Sequence, residues 1–231
     1  MALGIIHIEE TDSTNNWLKA RDSDADTIVW ADHQTAGRGS GTNSWESEKG
    51  ANLLFSMLIH PQQLLAAQQF RISMAMSLAL VRTLKPIAGE GISIKWPNDI
   101  YWHDRKLCGM LIENSISGAA VRSSIIGVGL NVNQQTFISD APNPVSLRNI
   151  TGVCHDRAQL LHSVADAFTL SVDPSDYRRQ LYRREGFFKY RDADGTFVAE
   201  MLDVEDDGRL VLRDDGGRVH RYGFKEVTFV L

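Results

Sequence analysis

Two stretches of this chain carry residue types at spacings that suit chemistry. One is Gln34-Thr35-Ala36-Gly37-Arg38-Gly39, closed by Trp45; the other is Lys95-Trp96-Pro97-Asn98-Asp99, followed by Lys106 and Gly109. Glycines at alternate positions let the backbone reach positive φ and approach a ligand closely, where a Cβ would clash. Arg38 between them offers forked donors that match carboxylate or phosphate. The second stretch sets an amide, a carboxylate and a lysine within nine residues. That set can hold a phosphate and deprotonate an amine. Together the two stretches read as a site that activates a carboxylate with a nucleotide.

Elements to position these residues are legible around them. Ile5 to Ile8 forms a short apolar strand, and Asp12-Ser13-Thr14-Asn15 offers N-cap candidates before Trp17-Leu18, so a helix is expected there. Thr27 to Ala31 reads as a strand entering the glycine turn. Leu53 to Ile59 is nearly all apolar, as for a strand covered on both faces. Phe70, Met74, Leu78, Val81 and Leu84 recur at helical spacing and predict a core-facing helix from Leu65 to Lys85. Strands are expected at Ser93 to Trp96, Leu107 to Glu113 and Ser124 to Val132, and helices at Ala158 to Leu170 and Tyr177 to Arg184.

After Gly186 the texture changes. Phe197 to Leu202, Leu210 to Leu212, Val219 to Tyr222 and Val227 to Val230 are short β-rich runs, punctuated by Asp206-Asp207-Gly208 and Asp214-Asp215-Gly216-Gly217. These predict a small antiparallel barrel. Residues 187–231 hold 7 basic and 10 acidic side chains, which argues against an RNA-binding barrel.

Composition narrows the class. At 231 residues, 43% hydrophobic and without low-complexity tracts, the chain can bury a full enzymatic core. A net charge of −5 gives no general attraction to nucleic acid or anionic membrane. No run reaches the roughly 18 apolar residues of a membrane span. The first residues lack a basic region and a cleavage site, so no signal peptide is expected. Two cysteines, Cys108 and Cys154, make no disulfide framework and suit a reducing compartment. The expectation is a soluble cytoplasmic protein.

At this point the motifs name a family. In order, Asp12-Ser13-Thr14-Asn15, Gln34 to Gly39 with Trp45, Gly50-Ala51-Asn52-Leu53, Lys95 to Asp99, Lys106-Leu107-Cys108-Gly109, Gly127 to Asn133 and Ser146-Leu147 make the chain resemble biotin protein ligases over nearly its whole length. The fold implied is α+β: a mixed β-sheet with flanking helices over residues 1–186, the biotin- and ATP-binding domain, plus a small SH3-like β-barrel over 187–231. The family's winged-helix DNA-binding domain is not expected, since Ile5 already lies in the first catalytic strand, and neither is specific DNA binding.

The resemblance implies that biotin reacts with ATP to give biotinyl-5′-AMP and pyrophosphate, and that a lysine of a biotin carboxyl carrier domain then takes the biotinyl group. It assigns Ser13, Thr14, Asn15, Gln34, Arg38, Gly39, Ser40, Lys106 and Gly109 to biotin. Arg38, Trp45, Lys95, Asn98, Lys106 and Asn131 are assigned to the adenylate. Arg38 and Lys106 would act on the reacting oxygens, and Asp99 would orient or deprotonate the incoming lysine. Mg²⁺ would accompany ATP, with no protein ligand named. Formation of a homodimer is left open.

Plainer readings compete at several positions. Ser13 and Asn15 taken alone are helix caps. Trp45 and Trp96 are open between core aromatics and ligand contacts. Lys106, beside Asp104 and Arg105, is open to being a solvated turn. Cys108 reads as a buried thiol rather than a nucleophile. His7, His33 and His60 lack metal-ligand spacing. Arg178, Arg179, Arg183 and Arg184 read as the solvated face of a helix, with an acidic partner as the alternative. One departure stands out: Ser40 occupies the place of a second loop arginine and Thr42 that of a glycine, so tight containment of the intermediate is in doubt. A lipoate ligase of the same fold and a non-catalytic binding module are the rival functions.

Overall fold

The structure, a computed structural model, describes residues 3–21, 23–39, 41, 43–138 and 143–231. Ser40 and Thr42, on which the expectation of a loosened loop falls, lie outside the described residues.

A seven-stranded sheet forms the main body: β1 (Gly4–Thr11), β2 (Thr27–Gln34), β3 (Leu53–Ile59), β7 (Ala120–Leu130), β6 (Arg105–Ser117), β5 (Asp99–Trp102) and β4 (Ile92–Lys95), in that spatial order. Only β1 and β2 run parallel; every other neighbouring pair is antiparallel. The parallel pair is joined through α1 (Thr14–Lys19). The sheet is therefore mixed, as the resemblance implies.

β3 shows why the sheet is covered twice. All seven of its residues are buried, and strand alternation divides them. Leu53, Phe55, Met57 and Ile59 enter the main core with α2 (Phe70–Ala88). Leu58 faces the other way, into a small cluster with Leu18 of α1, Val29 and Ile125. β6 and β7 split likewise. Met110, Ile126, Val128 and Leu130 join the main core, while Gly109, Gly127 and Gly129 line a cleft on the other face.

α2 begins at Phe70 after a 3₁₀ turn at Ala66–Gln68, rather than at Leu65, and carries Pro86 in its last turn. It packs against β4 and β5 and against α3 (Leu147–Thr151), α4 (Arg157–Ala167) and α5 (Pro174–Arg179). β5 was not expected from the sequence. Its four residues carry no apolar run long enough to stand out from the polar turns on either side.

The C-terminal residues form a second sheet, β11 (Val219–Tyr222), β10 (Leu210–Asp214), β9 (Gly195–Val204), β8 (Phe187–Asp192) and β12 (Thr228–Phe229), antiparallel throughout. The predicted barrel is not found: the sheet is open, with β11 and β12 at its edges. β12 is two residues long and pairs only with β8, too little ladder to close a ring. β8 escaped the sequence reading because Lys189, Arg191 and Asp192 interrupt its apolar pattern.

The second helix expected near Tyr177 also differs, for α5 ends at Arg179. Arg178 pairs with Asp203 at 2.6 Å and donates to the Val204 carbonyl at 2.9 Å; Arg183 donates to the Val230 carbonyl at 2.9 Å. These two arginines are ties to the second sheet, not a solvated helix face. Tyr190, Ala199, Leu210 and Leu212 complete the same core as α2 and β3. No helix among the described residues is long and apolar enough to cross a membrane.

Candidate active site

One cleft of about 1020 Å³ opens on the α1 face of the large sheet and reaches the edge of the small one. Every site residue expected from the sequence lines it except Ser40, which is not described: Ser13, Thr14, Asn15, Gln34, Arg38, Gly39, Trp45, Lys95, Asn98, Asp99, Lys106, Gly109 and Asn131.

At one end the walls are neutral and polar. Ser13 occupies the N-cap position of α1, yet its side chain makes no capping bond. Gln34, from the end of β2, takes that role instead: its Oε1 accepts from the Thr14 N–H at 2.7 Å and from the Thr14 hydroxyl at 3.0 Å. The helix is capped from outside, which leaves the Ser13 hydroxyl uncommitted at the cleft wall. Ser56, fully buried, lies 2.7 Å from Thr14 Oγ1 and 2.5 Å from Asn15 Oδ1. Asn15 in turn donates to Glu113 at 2.7 Å, and Glu113 pairs with Lys19 at 2.6 Å.

Neither Ser56 nor Glu113 was expected at the site. Ser56 left a signal, being the one hydroxyl in an otherwise apolar strand, Leu53-Leu54-Phe55-Ser56-Met57-Leu58-Ile59. Burial would raise the Glu113 carboxyl, but hydrogen bonds from Lys19 and Asn15 and the charges of Lys19 and Arg38 outweigh it and hold it below its ordinary value.

Glycines form the floor. Gly109 of β6 and Gly129 of β7 face each other across the ladder, and Gly127 pairs with Leu111 and with Ser56. A Cβ at Gly127 would stand 2.3 Å from Asn15 Oδ1, and one at Gly129 would stand 2.4 Å from the Trp45 indole. Two strands thus give up side chains so that an amide and an indole can lie on the sheet. Trp45 arrives there on a hairpin stem, with Arg38 bridged to Ser44, and its N–H donating to the Gly37 carbonyl at 2.9 Å.

The far end is charged. Register places Lys95 opposite Asp99, and Asp99 opposite Gly109. Between Ile100 and Tyr101 the β5–β6 ladder slips, so that Tyr101 opposes Lys106 and Leu107 is the extra residue. That bulge turns Lys106 onto the face of Asp99, where the two pair at 2.8 Å. Lys106 is therefore a cleft residue, not a solvated turn. Lys95, mostly buried, has its ammonium 5.1 Å from the ring centroids of Tyr101 and Phe229. Burial pushes its pKa down; the Asp99 carboxylate opposes this, and Lys106 and Arg183 add to it.

Trp96 is a core residue at 3% exposure, and its indole N–H donates to the Gly208 carbonyl of the small sheet at 2.8 Å. The Asn98 amide donates to the Met110 carbonyl at 2.6 Å, which braces the turn against β6. Cys108 is fully buried, and burial pushes its thiol pKa far up, which excludes a nucleophile.

Two buried polar atoms in the cleft stand out. The Asn131 amide donates to the Val145 carbonyl at 3.1 Å, while its Oδ1 has no partner among the described residues, and neither has Trp45 Nε1. An unpaired acceptor and an unpaired donor lining one cleft are what a ligand with both kinds of group would satisfy.

Comparison with known proteins agrees with this geometry. The Biotin/lipoate A/B protein ligase family model matches residues 6–131. The biotin–[acetyl-CoA-carboxylase] ligase of Paracoccus denitrificans is 31% identical, over 91% of this chain and 95% of that protein. The bifunctional ligase/repressor BirA of Bacillus subtilis is 30% identical, over 91% of this chain and 68% of its own. The biotin protein ligase from Aquifex aeolicus, solved in complex with biotin and ATP, superposes with a TM-score of 0.79 at 24% identity, covering 97% of each chain. The chain belongs to the biotin/lipoate A/B protein ligase family.

Proposed function

We propose that the cleft activates biotin with ATP and passes the biotinyl group to a lysine of a biotin carboxyl carrier domain. The observation that carries this reading is the division of a single cleft into a neutral polar end and a cationic end. Buried hydroxyl and amide groups of Ser13, Thr14 and Asn15, with the half-buried amide of Gln34, suit a ureido ring, which both donates and accepts. Lys95 and Lys106 at the charged end suit a phosphate, and Arg38, which donates to Asn16 at 2.8 Å and stands 3.5 Å from Glu113 beside the polar end, suits the carboxylate.

In the first step a carboxylate oxygen attacks the α-phosphorus of Mg·ATP, and pyrophosphate leaves. Arg38 and Lys106 neutralise the charge carried by the oxygens throughout. The indole of Trp45, the Asn98 amide and the free Oδ1 of Asn131 serve the adenylate. In the second step a neutral lysine amine attacks the acyl carbon, AMP departs and an amide forms. Asp99 orients or deprotonates that amine, with the Lys106 ammonium paired to it at 2.8 Å. Mg²⁺ enters with the nucleotide as part of the substrate; among the described residues no three His, Cys, Asp or Glu side chains cluster.

The polar end also separates biotin from lipoate, the other acid in the family's description. A dithiolane ring offers no hydrogen bonds, so it would leave the buried Ser13 hydroxyl, which makes no capping bond, without a ligand partner, at about 1–3 kcal/mol. Residues 1–186 would form the ligase domain, and 187–231 the smaller unit with SH3-like character that completes the cleft. The reaction belongs in the cytoplasm, where ATP and carboxylases meet. ATP–pyrophosphate exchange tests the proposal: exchange should require biotin. Exchange with lipoate alone would move the chain to the lipoate branch, and none with either acid would leave a binding module.

A further inference from the structure

The glycine loop from Gly37 to Trp45 carries a single cation, Arg38. A second one reaches it from the other sheet. Lys225 lies in the turn between β11 and β12, where the Glu226 N–H donates to the Gly223 carbonyl at 3.2 Å. It is the third residue of that turn and has φ +70°. That is a conformation a glycine adopts without cost and a lysine does not. Its ammonium reaches the tip of the loop: a Cβ built on Gly41, itself at φ +71°, would stand 2.4 Å from Lys225 Nζ. Lys225 lines the same cleft as Arg38 and Lys106. Its one recorded partner among the described residues is the Phe224 ring, 5.7 Å from the ammonium.

We propose that Lys225 binds the phosphoryl group of the acyl-adenylate, supplying from the C-terminal sheet the cation that the glycine loop lacks. The inference rests on the ligase reading above. Three independent features converge on it: a lysine held where the turn favours glycine, a side chain whose end fills the space left by Gly41, and a charged cleft beneath. A lysine serving only solubility would need none of them. The role is retention: the ammonium spans from the small sheet to the loop and holds the phosphoryl oxygens while the acceptor lysine arrives.

The test compares the parent with Lys225→Met, Lys225→Gly and Lys225→Arg, each checked for a melting temperature no lower than the parent's. Biotinyl-AMP formed on the protein is chased, and its dissociation is followed directly. Loss of the charged contact in Lys225→Met should speed dissociation by about tenfold or more. Biotin affinity without ATP should stay within about twofold of the parent. Lys225→Gly should match Lys225→Met although it relieves the turn, and Lys225→Arg should restore retention.

An off-rate within about twofold of the parent in Lys225→Met overturns the inference and leaves the ligase reading intact. So does slower transfer to the carrier domain at an unchanged off-rate, which would make Lys225 a docking contact. Failure of the parent itself to form biotinyl-AMP would sink the ligase reading and this inference with it.

Discussion

The indole of Trp45 lies against Gly129, so close that a methyl group there would stand 2.4 Å from the ring, and Gly109 across the ladder leaves 2.8 Å for the same addition. The sheet has been cleared at one rung to seat an aromatic face inside a charged cleft. The ring's only hydrogen-bonding atom, Nε1, is buried there without a partner among the described residues. An indole so placed offers a stacking surface beside Lys106, whose ammonium is 5.7 Å from the ring centroid.

Gly129→Ala should therefore displace Trp45 without unfolding the sheet, since the three heavy atoms nearest an alanine Cβ there all belong to that ring. The expected result is a KM for ATP raised by about tenfold or more, with biotin affinity little changed. Parallel titrations of ATP and biotin would show it. Equal loss of both affinities would mean that the sheet itself had shifted.

Ser56→Ala probes the neutral end. It removes a buried hydroxyl hydrogen-bonded with Thr14 and Asn15, and leaving such groups unpaired costs about 1–3 kcal/mol. Biotin binding measured by calorimetry should weaken by roughly fivefold to a hundredfold, while the KM for ATP holds. An unchanged biotin affinity would show that Thr14 and Asn15 keep their places without it.

Lys106→Ala should leave the protein folded and slow adenylation. A charge-assisted hydrogen bond is worth ~1.5–3 kcal/mol, or about tenfold to a hundredfold in rate. Asp99→Asn should instead act on transfer to the acceptor lysine, because the carboxylate is needed only once an amine arrives. Single-turnover measurement of the two steps separates them, and a uniform loss in both variants would refute the division of labour.

Acid should weaken the cluster around Glu113. Its carboxyl is held below the ordinary 4.5 in the folded protein. A depressed folded value gives stability that is present above the unfolded value and lost as pH falls through the folded one. Glu113→Gln should thus melt below the parent near neutral pH, with the gap closing as the pH falls below 4.5. A gap that stays constant with pH would remove charge as its cause.

The sequence disclosed the site more fully than the frame. Arg38, Asp99 and Lys106 were legible because glycine spacing and clustered charges need no tertiary knowledge. Their convergence was not, since it depends on a bulge at Leu107 that no local pattern announces. Ser56, an isolated hydroxyl in an apolar run, and Gly127, within a family motif, were visible as residues, but only strand pairing shows that they abut Asn15. Some motifs that carried the resemblance are structural. Ser146 caps α3 in a reciprocal pair with Asn149, and Asn52 donates to Gln134 at 2.6 Å and accepts from the Val132 N–H. The C-terminal strands were legible but closure of their sheet into a barrel is not seen, because short β-rich runs with turn signals do not specify closure. The Arg178 and Arg183 ties were missed because charge runs in sequence look alike whether solvated or paired.

The most direct test of the account is a competition. The protein is given Mg·ATP, equal biotin and lipoate, and a biotin carboxyl carrier domain, and the carrier is read by mass spectrometry with peptide mapping. The account predicts biotin on one lysine of the carrier, dependent on ATP, and no lipoylated product. Lipoyl modification, or an unmodified carrier despite biotin-dependent pyrophosphate exchange, would contradict it.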